Sequence, residues 1–121
     1  MQGSGHIKTI LIIEDDPFIS MDLEDIFESE GFKVLGPYAE VQPGLKVLED
    51  HKPDVAMLDY NLGSETSVPI AKELDSKNIP YAFLSGQIKT VIMDKGTRPQ
   101  PVILKPFIPE KLIGMVHELM K

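Results

Sequence analysis

With 121 residues, 42% of them hydrophobic and 7% aromatic, the chain is long enough for one domain around a single core. A net charge of −7 argues against direct binding to a nucleic-acid backbone; the lack of cysteine excludes disulfides and thiolate metal sites and fits a reducing, cytoplasmic location. No apolar run approaches the roughly 20 residues of a membrane span, so membrane insertion is not expected, and the N-terminus lacks the basic-then-apolar pattern of a secretory signal.

Residues 1–6 are small, polar and irregular and read as a tag or disordered N-terminus, which leaves a domain over residues 7–121. Residues 7–13 are β-branched and almost continuously apolar, the pattern of a buried strand. Three acids follow, Glu14, Asp15 and Asp16, and then a helix over 17–30. Pro17 suits the first turn of that helix and Asp16 its cap; Ile19, Leu23, Ile26 and Phe27 recur at helical spacing, and Gly31 supplies the stop. A second strand over 32–35 is closed by Gly36 and Pro37, and a second helix over 41–51 turns Leu45 and Leu48 inward. A third strand over 55–58 runs into Asp59 and a polar turn. A third helix is predicted over 68–77, and a strand over 81–84 that ends on Ser85 and Gly86. In residues 87–100, Ile88, Val91 and Ile92 allow one or two helical turns, but Gly96, Pro99 and the following Pro101 forbid a long helix. The last strand, 102–104, leads into Lys105 and Pro106, and a final helix over 109–120 buries Leu112, Ile113, Val116 and Leu119. Strand and helix alternating in this way predict an α/β fold, a doubly wound five-stranded parallel sheet flanked by helices with right-handed crossovers.

Ligands bind outside the carboxyl ends of the strands in such sheets. Four strand ends carry chemistry here: the acids 14–16, Asp59, Ser85 and Lys105. Clustered carboxylates suit a hard divalent cation such as Mg2+. A carboxylate can also attack phosphorus to give an acyl phosphate, a reaction that asks the protein mainly for positioning and charge neutralisation. Each piece alone is ordinary: an Asp ending a strand is often a turn residue, and acids before a helix favour its dipole. Their combination, in this order, is far more specific.

The constellation resembles the receiver domain of two-component response regulators across residues 7–121, in the motifs Ile-Ile-Glu-Asp15-Asp16, Met-Leu-Asp59-Tyr-Asn61-Leu, Phe-Leu-Ser85-Gly86 and Leu-Lys105-Pro106-Phe107. The resemblance implies a flavodoxin-like receiver fold with Asp59 as phosphoacceptor. Mg2+ would be held by Asp16 directly, by Asp15 through water, by Asp59 and by the Asn61 backbone carbonyl. Ser85, Gly86 and Lys105 would bind the phosphoryl group, and the bond before Pro106 would be cis. Asn61 and Gln87 would tune dephosphorylation, and Phe18 would contact a docking partner. That partner would be a sensor histidine kinase or phosphotransfer protein. Such a domain is not an enzyme in its own right beyond self-catalysed phosphotransfer and slow autodephosphorylation. With no DNA-binding segment, output would pass through an unknown downstream protein.

Two departures stand out. The place of the usual aromatic residue in the last strand falls to Val102, and the fourth-helix region is shortened and broken by Arg98-Pro99-Gln100-Pro101. Together with Tyr81-Ala-Phe-Leu-Ser-Gly they resemble a stand-alone subgroup with a Phe-Ala-Thr-Gly motif, although Leu84 and Ser85 replace Ala and Thr. They also keep open a degenerate receiver that serves as a non-phosphorylated binding scaffold. An Asp-nucleophile phosphatase would want a second Asp where Asn61 stands, and a cap insertion. An FMN binder would want a phosphate loop where the acids stand. His6, His51 and His117 have no metal-ligand spacing and read as surface residues, and the six methionines read as core filler.

Overall fold

The computed structural model describes residues 7–86 and 101–121. In chain order these form β1 (Thr9–Ile13), α1 (Pro17–Ser29), β2 (Lys33–Tyr38), α2 (Val41–Asp50), β3 (Val55–Asp59), β4 (Asn61–Leu62), β5 (Glu65–Thr66), α3 (Val68–Ser76), β6 (Tyr81–Ser85), β7 (Val102–Leu104) and α4 (Pro109–Leu119). The shortened fourth helix expected within 87–100, together with Gln87, Ile88, Val91 and Ile92, lies outside the described residues, as does the N-terminal stretch 1–6.

The apolar runs become strands because both of their faces are covered. β1, β3 and β6 are buried along almost their whole length, which is why they read as continuous rather than alternating patterns. The five main strands pair in parallel in the order β2-β1-β3-β6-β7. α2 and α3 cover one face, packing Val41, Leu48, Ile70, Ala71 and Leu74 against Leu11, Ile13, Ala56 and Leu58. α1 and α4 contribute Leu23, Phe27, Leu112 and Val116 to the other face, against Ile10, Ile12, Val55 and Met57. The doubly wound sheet expected from the alternating pattern is therefore present, with helices on both faces.

Two local features differ from expectation. The second strand does not stop at Gly36 and Pro37 but runs through them to Tyr38. Its pairing with β1 is irregular between Leu11 and Ile13, and the Tyr38 carbonyl accepts the Glu14 N–H at 2.9 Å. Gly36 makes this possible: its φ is +93°, and a Cβ there would sit 2.9 Å from the Ile12 carbonyl oxygen and 2.8 Å from the Tyr38 nitrogen. Gly36→Ala is expected to cost about 2 kcal/mol or more, by strain at positive φ plus backbone collision, read as a lower denaturation midpoint at unchanged slope. The second difference is the polar turn after Asp59, which contains a small antiparallel hairpin, β4 with β5, pairing Asn61 with Thr66 and Leu62 with Glu65. Gly63, at φ +70°, turns it, and buried Leu62 anchors it to the α2–α3 core.

Candidate functional site

In this strand order the chain winds in opposite directions from β1 and β3, which opens a crevice beyond their carboxyl ends. Glu14 follows β1, Asp59 is the last residue of β3, Ser85 the last of β6, and Lys105 follows β7. Backbone hydrogen bonds lock the neighbouring tips in register: Tyr60 N–H donates to the Leu84 carbonyl at 2.8 Å and Lys105 N–H to the Ser85 carbonyl at 2.9 Å.

The lysine bridges two buried carboxylates. Its Nζ lies 3.1 Å from Glu14 Oε1 and 3.2 Å from Asp59 Oδ1, while Glu14 and Asp59 are 1% and 5% exposed. Glu14 Oε2 accepts the Asp16 N–H at 3.1 Å. The contact of Oε1 with the ammonium is a charge contact without hydrogen-bond alignment, so this buried oxygen keeps acceptor capacity. Asp15, exposed at the crevice mouth, completes a group: one carboxylate oxygen each from Glu14, Asp15 and Asp59 lie within 4.8 Å of one another. Opposite ligands of an octahedral Mg2+ with bonds of about 2.1 Å stand about 4.2 Å apart, so the donor set fits that ion after small side-chain adjustments.

Burial pushes the Asp59 carboxyl up to about 8, reinforced by a hydrogen bond with Glu14 and by its charge; Lys105 pulls the other way without prevailing. Burial also works against the charged form of Lys105. The close contact and charge of Glu14, and then those of Asp59, outweigh it and leave the ammonium pKa above its ordinary 10.5. At neutral pH the pocket therefore holds the Lys105 cation against an Asp59 carboxyl that keeps its proton in the absence of a metal ion.

Of the residues singled out in the sequence, Asp15, Asp59 and Lys105 come together, with Ser85 buried at the adjoining strand tip. Asp16 does not join the cluster: its Oδ1 accepts the N–H groups of Phe18 at 2.8 Å and Ile19 at 3.2 Å. Glu14 occupies the buried place instead, a shift of one residue in the acidic run. The signal was Pro17, which at the first helical position makes Asp16 the cap and commits its carboxylate to the helix. Asn61 is exposed at the start of β4, and Gly86 is an exposed bend with open space around it. The Lys105–Pro106 peptide bond is cis, as is Gly36–Pro37. Phe18 is 79% exposed in the first turn of α1, with Met21, at 65%, one turn on, so this methionine is no core filler. Val102 pairs with Phe83 and is half-buried against the α2–α3 core. His51 and His117 are exposed; His117 lies 3.8 Å from Glu30.

A doubly wound parallel sheet with carboxylates at two strand tips and a lysine beyond a third is the architecture of receiver domains. The family model for the response regulator receiver domain matches residues 10–117, and the chain belongs to that family. It is 31% identical over 114 residues to the phyllosphere-induced regulator PhyR of Methylorubrum extorquens, covering 90% of this chain and 42% of PhyR. It is 28% identical over 113 residues to the transcriptional regulatory protein PdtaR of Mycobacterium tuberculosis, covering 91% of this chain and 55% of PdtaR. The solution structure of SdrG from Sphingomonas melonis Fr1 matches with a TM-score of 0.80 at 35% identity, over 95% of this chain and 98% of SdrG. The chain spans about half the length of the first curated relatives it matches, 48% and 55%. Receiver domains are generally signalling domains that work by contacting kinases or other proteins, and they typically bind Mg2+ at an acidic pocket. Among the described residues, no helix is long and apolar enough to cross a membrane.

Proposed function

We propose that this receiver domain accepts a phosphoryl group on Asp59 from a phosphohistidine of a sensor kinase or phosphotransfer protein, and signals through a protein partner in the cytoplasm. The observation that carries the reading is the Lys105 ammonium held at 3.1 and 3.2 Å from Glu14 and Asp59, with Asp15 in the same carboxylate group. Glu14 and Asp15, with Asp59, would hold Mg2+, which supplies positive charge for the equatorial phosphoryl oxygens. The Asn61 backbone carbonyl is a further candidate ligand.

In the transfer, ionised Asp59 attacks phosphorus through a carboxylate oxygen and the P–N bond to the donor imidazole breaks. The electron pair of that bond stays on the imidazole nitrogen. Lys105 stays close to the acceptor oxygen and offsets the charge that gathers there. Ser85, at the tip beside Asp59, donates its hydroxyl to a phosphoryl oxygen, and Gly86 leaves room for that group. Asn61 and Gln87 shape the later approach of water. Phe18 and Met21 stand out from α1 among Asp22, Asp25 and Glu28, a surface suited to a donor protein with an apolar contact ringed by basic residues. Removal of the phosphoryl group by water would be slow, as expected of a signalling domain rather than an enzyme.

The test is intact mass after incubation with a small-molecule phosphodonor, with and without Mg2+. A gain of one phosphoryl group that needs Mg2+ and disappears in Asp59→Asn supports the reading. No gain in a wild type that binds Mg2+, from the small donor or from a phosphohistidine protein, would leave a binding scaffold as the better description.

A further inference from the structure

Asp16 is the one acid of the Glu14-Asp15-Asp16 run that the cluster leaves out, yet two of its groups reach in opposite directions. Its side chain caps α1: Oδ1 accepts from Phe18 and Ile19 at 2.8 and 3.2 Å, and its carbonyl accepts the Ser20 N–H at 2.9 Å. Its own N–H points back to Glu14 Oε2 at 3.1 Å. The Ser20 hydroxyl, on the first turn of the same helix, donates to the Glu14 carbonyl at 3.0 Å. Glu14 is thus held at its side chain and at its main chain by groups whose positions depend on the first turn of α1. Pro17 has no N–H to give, so capping of that turn falls to the two donors that Asp16 takes.

We infer that Asp16 is a positioning residue for the acidic pocket, acting on Glu14 through its cap on α1 rather than by ligating the cation. This rests on the metal-assisted reading above. Without the cap the first turn frays, the Asp16 N–H and the Ser20 hydroxyl lose their fixed directions, and Glu14 is free to leave the geometry that the cation requires. What Asp16 must supply is a short side-chain acceptor, not a charge. Asparagine and serine supply one; alanine does not.

The experiment is calorimetric titration of Mg2+ into wild type, Asp16→Asn, Asp16→Ser and Asp16→Ala, with amide exchange at Phe18 and Ile19 measured metal-free. The expected result is a dissociation constant within about twofold of wild type for the Asn and Ser variants, and about tenfold weaker for Ala. Exchange at the two capped amides should rise in the Ala variant alone. Equal weakening in all three variants would show that the carboxylate itself ligates, and unchanged affinity in Ala would show that the cap does not act on Glu14; either overturns the inference. A wild type that takes up Mg2+ but never gains a phosphoryl group at Asp59 defeats the phosphoacceptor reading alone, and the titrations still decide the role of Asp16. A wild type that binds no Mg2+ overturns both.

Discussion

Asp59→Asn is expected to make the protein more stable, and increasingly so as the pH rises from about 4 to above 8. In the unfolded chain this carboxyl ionises near its ordinary value of 3.8, whereas in the folded pocket it does so only at about 8, because burial and Glu14 disfavour its charge. Below the unfolded value both states are protonated and Asp59 contributes nothing. Between the two values unfolding releases a proton, so stability falls with rising pH; above the folded value the whole penalty is present. Asparagine fills the same space without that charge. Lys105 loses one of its two partners in the variant, which returns part of the gain. A net stabilisation of about 2 kcal/mol above pH 8 corresponds to a melting temperature about 8 °C higher for a domain of this size. The check is thermal unfolding of both proteins from pH 4 to 9, taking the difference so that the other carboxylates cancel. A difference independent of pH would mean that Asp59 is ionised in the folded state throughout. The same shift predicts that Mg2+ displaces about one proton below pH 8, so its apparent affinity should rise by up to about tenfold per pH unit there.

The second large effect is at Lys105. Lys105→Met keeps most of the aliphatic stem and removes the cation between Glu14 and Asp59. Phosphoryl acceptance is expected to fall about 100-fold to 1000-fold, the cost usual for removing one preorganised charge donor from a reaction centre. Asp59 then faces Glu14 with only its own proton to keep the two carboxyl groups from repelling. The stability cost should be small near pH 5, where that proton is retained, and about 2–3 kcal/mol near pH 9, where it is lost. For the wild type the pH dependence at Lys105 has the same sign as at Asp59 but lies in a more alkaline window. Its pKa is raised, so its stabilisation is complete below 10.5 and is lost only as the pH passes the higher folded value. Rates of phosphoryl gain at saturating Mg2+, with melts at both pH values, test the pair of expectations. An unchanged rate would remove Lys105 from the chemistry.

The fold was legible because its signals are periodic: continuous apolar runs for buried strands, a 3.6-residue stripe for α1 and α4, and Gly or Pro between them. What escaped was local and depended on neighbours. β2 continues through Gly36 and Pro37 because the Glu14 N–H is waiting for the Tyr38 carbonyl, a contact between distant segments. The hairpin after Asp59 has only two residues per strand, too few for an alternation to register. In the site, Asp59, Ser85 and Lys105 could be read directly because each ends or immediately follows a strand. The acidic run was harder. Three adjacent acids differ only in where the strand stops and the helix starts, and the one-residue shift of the acid pair, from Asp15 and Asp16 to Glu14 and Asp15, follows from Pro17 making Asp16 the cap.

Tyr60, Phe83 and Tyr81 stand in edge-to-face contact, with ring centroids 5.5 and 5.6 Å apart. The chain has no tryptophan and three tyrosines, so its absorption near 280 nm comes almost wholly from those phenols. Two of the three are therefore locked in one asymmetric stack, and Tyr60 is covalently next to Asp59. Any event at that carboxylate that tilts the neighbouring ring changes the coupling between transition dipoles. The domain thus carries an optical reporter of its own acceptor site, readable as near-ultraviolet ellipticity without a label.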